Sequence, residues 1–183
     1  MIFKKNILGT GVFLIMFLFA VSFAYGADTS KPVPVPTTVS VDYVLPYAGI
    51  LPDHPLYLLK VLRDRIVDLF TNQPEKRVNF LLLMADKRLV MGELLVEKGN
   101  ADLGHTTISK GENYFIRSAS ELSILRDTNK ESAQNLEEKL EKAYLKHKEV
   151  VLGIESKLNK NQKKQWNDVD QKLAEIGSTL GVK

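Results

Sequence analysis

Between Pro74 and Gly99, Val78, Leu81, Leu82, Ala85, Leu89, Gly92 and Val96 recur at spacings of three and four. That is the period of one face of an α-helix. Pro74 suits the first turn, where its missing N–H is no loss, and Gly99 suits a left-handed C-terminal cap. Two further stretches carry the same period. Residues 101–126 place Leu103, Thr107, Gly111, Tyr114, Ser118 and Leu125 on one face, and Ile108, Phe115 and Leu122 on its flank. Two strips imply two neighbours. Residues 129–158 place Ala133, Leu136, Leu140, Ala143, His147, Val150, Ile154 and Leu158 in a heptad-like alternation. Thr128 with Glu131 three residues on reads as a capping box for that helix.

A shorter helix over 161–180 turns Trp166, Val169, Leu173, Ile176 and Leu180 inward, and Gly181 follows its end. Ahead of all these the spacing predicts a helix over 54–71. Asp53 is placed to cap it and Pro55 to fill its first turn. Leu59, Leu62, Ile66, Leu69 and Phe70 are expected to face the core, with Lys60, Arg63, Asp64 and Asp68 outside. Short connections and no credible strand give an all-α antiparallel bundle of about five helices (54–71, 74–98, 101–126, 129–158 and 161–180).

Residues 43–183 are read as this bundle domain. The 183-residue chain holds no cysteine, so its fold rests on packing without disulfides. Residues 1–24 read as a signal peptide or an N-terminal membrane anchor. Lys4 and Lys5 precede the apolar run Ile7–Ala24, and Ser22-Phe23-Ala24 offers small residues for cleavage. Residues 25–42 form a Pro-rich linker, extended through Lys31-Pro-Val-Pro-Val-Pro36. Tyr43 to Ile50 is expected to lie as a non-helical strap over apolar surface. The domain is therefore expected outside the cytoplasm, secreted or anchored to the outer face of the cytoplasmic membrane, and to meet the membrane only through an uncleaved leader.

Leu51-Pro-Asp-His-Pro-Leu-Tyr-Leu-Leu-Lys60 resembles the opening of an uncharacterised prokaryotic family, domain of unknown function 5667. Leu69-Phe-Thr71, Pro74-Glu-Lys-Arg77, Ala85-Asp-Lys-Arg-Leu89 and Glu97-Lys-Gly99 resemble its later landmarks. The resemblance covers roughly residues 43–126. It implies an exported or membrane-tethered helical domain and supplies no catalytic residues.

Lys and Arg number 25 against 22 Asp and Glu; setting aside Lys4 and Lys5 leaves 23 against 22. Such a balance offers no basic excess for a nucleic-acid backbone. No phosphate loop, HExxH, EF-hand loop or nucleophile elbow occurs. Paired carboxylates are expected to be absent from the apolar faces. The chain has three histidines. His54 reads as an exposed turn residue. His147 occupies an inward position, and folding the third and fourth helices about Asp127 sets it level with Ile108, with His105 one turn away. Two imidazoles could begin a metal site, but no third ligand is evident. The expectation is therefore no metal and no cofactor, with His105 and His147 the weak candidates. On that reading His147 is a core histidine bonded to a neighbour, and His147→Leu is tolerated. Tyr43, Tyr47, Tyr57, Phe70, Tyr114, Phe115 and Trp166 are expected in the core.

The second and third helices should pack about Gly99-Asn100, setting Leu89 against Gly111, Ala85 against Tyr114, and Gly92 against Thr107 or Ile108. Gly111 should tolerate alanine but not leucine. The functional expectation is a non-enzymatic exported domain that binds an envelope or extracellular protein or structures the envelope. The alternative is an extracytoplasmic sensor or scavenger holding a metal or small ligand in the bundle.

Overall fold

The computed structural model describes residues 41–182. The expected leader, and the linker up to residue 40, lie outside the described residues. Five helices follow: α1 (Tyr57–Phe70), α2 (Pro74–Glu97), α3 (Ala101–Thr128), α4 (Lys130–Ser156) and α5 (Lys160–Leu180). Among the described residues there is no strand.

The helix ends follow local chemistry. Gln73 is extended at φ −75°, ψ 126°, as the residue before proline prefers, and Pro74 opens α2. Gly99 takes φ 84°, the left-handed region open to glycine. Its N–H donates to Val96 O and that of Asn100 to Leu95 O, closing α2 with a Schellman motif. The Asn159 side chain and Gln162 form a reciprocal capping box on α5.

Two boundaries differ from expectation. The α1 helix begins at Tyr57 after successive turns, and its N-cap Leu56 has no side-chain cap. Asp53 instead pairs with Lys98 at 3.1 Å. The α4 cap is Asn129, whose side chain accepts from Ser132 N, while the Thr128 hydroxyl bonds back to Ile124 O. Asn129 is thus the pivot in place of Asp127, which slides α4 along α3 by about one turn.

Core residues come from α2–α5. Val78, Leu81, Leu89, Ile108, Phe115, Leu122, Leu140, Trp166 and Ile176 are fully buried. The α3 helix sits centrally, against α2, α4 and α5, so its two apolar strips find their neighbours. The α4 helix touches α2, α3 and α5.

The closest seam is α2 on α3. A Cβ on Gly92 would stand 2.3 Å from Ile108 Cγ1 and 2.8 Å from Gly104 O; one on Gly104 would stand 2.6 Å from Val96 Cγ2. A Cβ on Gly111 would stand 2.9 Å from Arg88 Cβ and 3.2 Å from Ala85 O. The expected register therefore holds, with residues 92 and 108, and 89 and 111, level. The expected tolerance of Gly111 for alanine does not hold, because backbone and a Cβ stand in the way rather than a movable side-chain end.

The α1 helix is turned the other way from expectation. Its bundle-facing side is Tyr57, Val61, Asp64 and Asp68, and Asp64 is 8% exposed. Leu58 and Phe70 are 76% exposed, Leu69 73% and Leu59 65%. Polar contacts tether the helix. Asp68 pairs with Arg77 at 3.3 Å and Arg117 at 3.5 Å, and Lys60 Nζ donates to Ala48 O at 3.2 Å. Those partners lie on α2, α3 and the strap, so the acidic side is drawn inward and the leucines are left outside. Phe70 and Tyr47 are accordingly exposed, whereas Phe115 and Trp166 are core.

Two glycine variants test the seam. Gly92→Ala should lower stability by about 1–3 kcal/mol despite roughly 1 kcal/mol of regained helix propensity. Gly153, on α4, has no atom within 4 Å of a built Cβ. Gly153→Ala should therefore raise stability by about 0.5–1 kcal/mol. Thermal melts of both decide it; equal shifts of one sign would contradict the seam.

Candidate functional site

His147 is fully buried. The α4 stripe carries it inward, and the edge of the Phe115 ring packs on it at 4.9 Å between centroids. Its two ring nitrogens meet two carboxylates on different helices. Nδ1 is 2.9 Å from Glu112 Oε1 on α3, and Nε2 is 3.0 Å from Asp86 Oδ1 on α2. The Tyr43 hydroxyl of the strap donates to Asp86 Oδ2 at 2.7 Å. One line of polar contacts therefore crosses strap, α2, α4 and α3. Among the described residues, Glu112 Oε2 is buried without a hydrogen-bond partner.

A histidine donating from both nitrogens is an imidazolium. Burial disfavours that cation, but the charge of Glu112 and hydrogen bonds to Asp86 and Glu112 outweigh it and hold the pKa up at about 9. Burial, then the Asp86 charge, pushes the Tyr43 hydroxyl up, so it stays a neutral donor. In this arrangement neither His147 nitrogen keeps a lone pair for a metal.

His105 lies elsewhere. Its Nε2 is 2.6 Å from Asp168 Oδ1 on α5, and its ring tilts against Trp166. Ser109 Oγ donates to Asp168 Oδ2 at 2.6 Å, and Lys172 donates to Ser109 Oγ. Burial raises the Asp168 pKa, but hydrogen bonds from Ser109, His105 and Lys172 override it and bring it down to about 2. An open polar depression adjoins the cluster, lined by His105, Asp168, Lys164 and Gln171 among others. The two candidate histidines thus meet separate carboxylates and do not converge. Among the described residues no three His, Asp or Glu side chains are arranged to hold a metal ion. His54 lies in the exposed turn, accepting from Leu56 N.

The expectation that the apolar faces lack paired carboxylates is overturned by Asp86 and Glu112. A signal was present. Asp86 falls four residues after Leu82 and three before Leu89, and Glu112 falls four after Ile108 and three before Phe115. Each acid interrupts a buried strip, on helices that flank an inward histidine. The expected level pairing of His147 with Ile108 is also replaced, by Glu112, because the pivot moved to Asn129.

The chain matches a family described as Domain of unknown function (DUF5667) over residues 49–177. It belongs to that family. The match extends beyond the resemblance at residues 43–126, taking in α4 and most of α5, so the family unit includes His147 and Asp168. No curated protein and no solved structure matches the chain.

Replacing His147 by leucine should cost about 3–5 kcal/mol, because two buried carboxylates lose their cation. This reverses the tolerance expected from sequence. Replacing His147 by leucine and Glu112 by methionine together should recover much of the loss, and chemical denaturation of both variants measures it.

The pH dependence has a definite sign. A folded value of about 9 against 6.5 unfolded contributes stability fully below pH 6.5, lost as pH rises through 9. Burial lowers the Lys60 pKa to about 8, which acts in the opposite direction above that pH. Between pH 6.5 and 8 stability should therefore fall by roughly 1–2 kcal/mol. Glu112→Gln should move the His147 titration, followed by imidazole NMR, to lower pH.

Proposed function

We propose that this protein is a non-enzymatic, extracytoplasmic helical module that docks through α1 onto another component of the cell envelope. The observation that carries the reading is the outward apolar stripe of α1, with Leu58, Leu69 and Phe70 more than 70% exposed. A contiguous apolar patch of this kind, unlike a single exposed leucine, marks an interaction surface. The leucines belong to the Leu51–Phe70 stretch, all of it inside the family match. The charged leader start followed by the apolar run Ile7–Ala24 supports the extracytoplasmic part.

The natural chain has no cysteine, so single thiols report cleanly. Leu62 on α1 and Leu152 on α4 are both exposed. In intact cells of the native host, a membrane-impermeant maleimide should modify a Leu152→Cys chain as fast as it does the isolated protein. A Leu62→Cys chain should react several-fold more slowly in cells than in isolation. A Leu152→Cys thiol that reacts only after lysis would reject the extracytoplasmic placement. Equal rates at Leu62→Cys in cells and in isolation would reject docking through α1.

A further inference from the structure

The stripe on α1 has a definite shape and rim. At about 100° per residue, Leu58, Leu69, Leu62, Ile66, Leu59 and Phe70 fan across roughly 120° of the helix. Arg65 lies roughly 20° beyond one border and Arg63 roughly 20° beyond the other. Both arginines are exposed. Arg63 pairs with its neighbour Asp64 at 2.8 Å. Asp64 and Asp68 lie on the opposite side, toward the bundle, where Asp68 is held by Arg77 and Arg117. Each border of the stripe therefore carries an arginine, that of Arg63 already answered by Asp64.

We infer that α1 lies in the headgroup region of an anionic bilayer, apolar face down, with Arg65 at the phosphates. The inference rests on the docking reading above and names what α1 docks onto. Three observations favour a lipid surface. A broad convex stripe suits a fluid interface, whereas a coiled-coil partner needs a narrower seam. Arg65 on one border matches anionic headgroups, while a second copy laid face to face would bring arginine-bearing borders together. Finally, the chain before the described residues contains an 18-residue apolar run, Ile7–Ala24. The 16 residues from Tyr25 to Ser40 reach at most roughly 55 Å at about 3.4 Å each. Where that run is kept as an anchor, a tether of that reach would favour the contact, so a short helix of modest intrinsic affinity would suffice. This contact is additional to any leader. Tyr47, exposed in the strap just before α1, is of the residue type that settles at membrane–water interfaces.

The test uses the full chain reconstituted in vesicles of phosphatidylcholine with phosphatidylglycerol. An environment-sensitive fluorophore is attached through Leu62→Cys, or through Leu152→Cys as the comparison. The Leu62 probe should brighten on reconstitution and be quenched by lipids brominated near the headgroup, while the Leu152 probe stays water-like. Adding Arg65→Gln should reduce the ratio of inserted to free α1 by about fivefold, the worth of one cation at an anionic surface. Melting curves matching the parent protein establish that each labelled chain is folded. A Leu62 probe that stays water-like in vesicles carrying the chain overturns the inference. So does equal quenching at both positions, or an unchanged ratio with Arg65→Gln. A Leu62 probe that brightens with protein concentration and no lipid also overturns it, assigning the stripe to a second copy. Protection of Leu62→Cys in cells together with a water-like probe in vesicles would leave docking standing and remove lipid as its target.

Discussion

The fold turns on one buried cation held between two buried anions. An imidazolium has no place in an apolar core unless its charge and both N–H groups are answered. Asp86 and Glu112 answer them from α2 and α3, and Tyr43 answers Asp86 from the strap. The geometry demands that three helices and a non-helical segment arrive at one point with sub-ångström tolerance. Between α2 and α3 the glycine seam already sets the level, and this cluster sets it for α4. It fixes α4 lengthwise against α2 and α3 at the level where Phe115 covers the ring.

Much of this was legible from residue spacing. The stripes of α2, α3, α4 and α5, the glycine cap at Gly99 and the α2–α3 register follow from local chemistry and from volumes that must interlock. Periodicity marks which face of a helix is apolar, but not where that face points. For α2 to α5 the core is the answer. For α1, Asp68 binds Arg77 and Arg117, Lys60 binds the strap, and the helix is reversed, a choice made by tertiary partners that no local pattern encodes. Asp86 and Glu112 were missed for a related reason. An acid inside an apolar strip reads as a flaw in the strip until the cation that meets it is placed, and that placement required the Asn129 pivot.

The α1 helix and the bundle are therefore stabilised by different physics. The bundle is held by interlocked volume, with glycines at positions 92, 104 and 111 letting backbones approach. The α1 helix is held by ion pairs and a lysine–carbonyl bond near the surface, interactions that weaken with salt and rearrange at small cost. A helix attached in this way can tilt or lift while the four-helix core keeps its shape. A surface that meets a partner profits from that looseness, and the core does not need it.

The strap also determines how load would travel. The chain enters the described domain at Val41, whose N–H bonds to Glu149 on α4, and two residues later Tyr43 is bonded to Asp86. Tension on the preceding segment would therefore be delivered to α4 and α2, beside the buried ionic cluster, before it could reach α1. The leucine-bearing helix lies downstream of that anchorage and is shielded from the pull. Like a bollard on a quay, the Tyr43 anchorage would take the strain of the line, and α1 would be spared it.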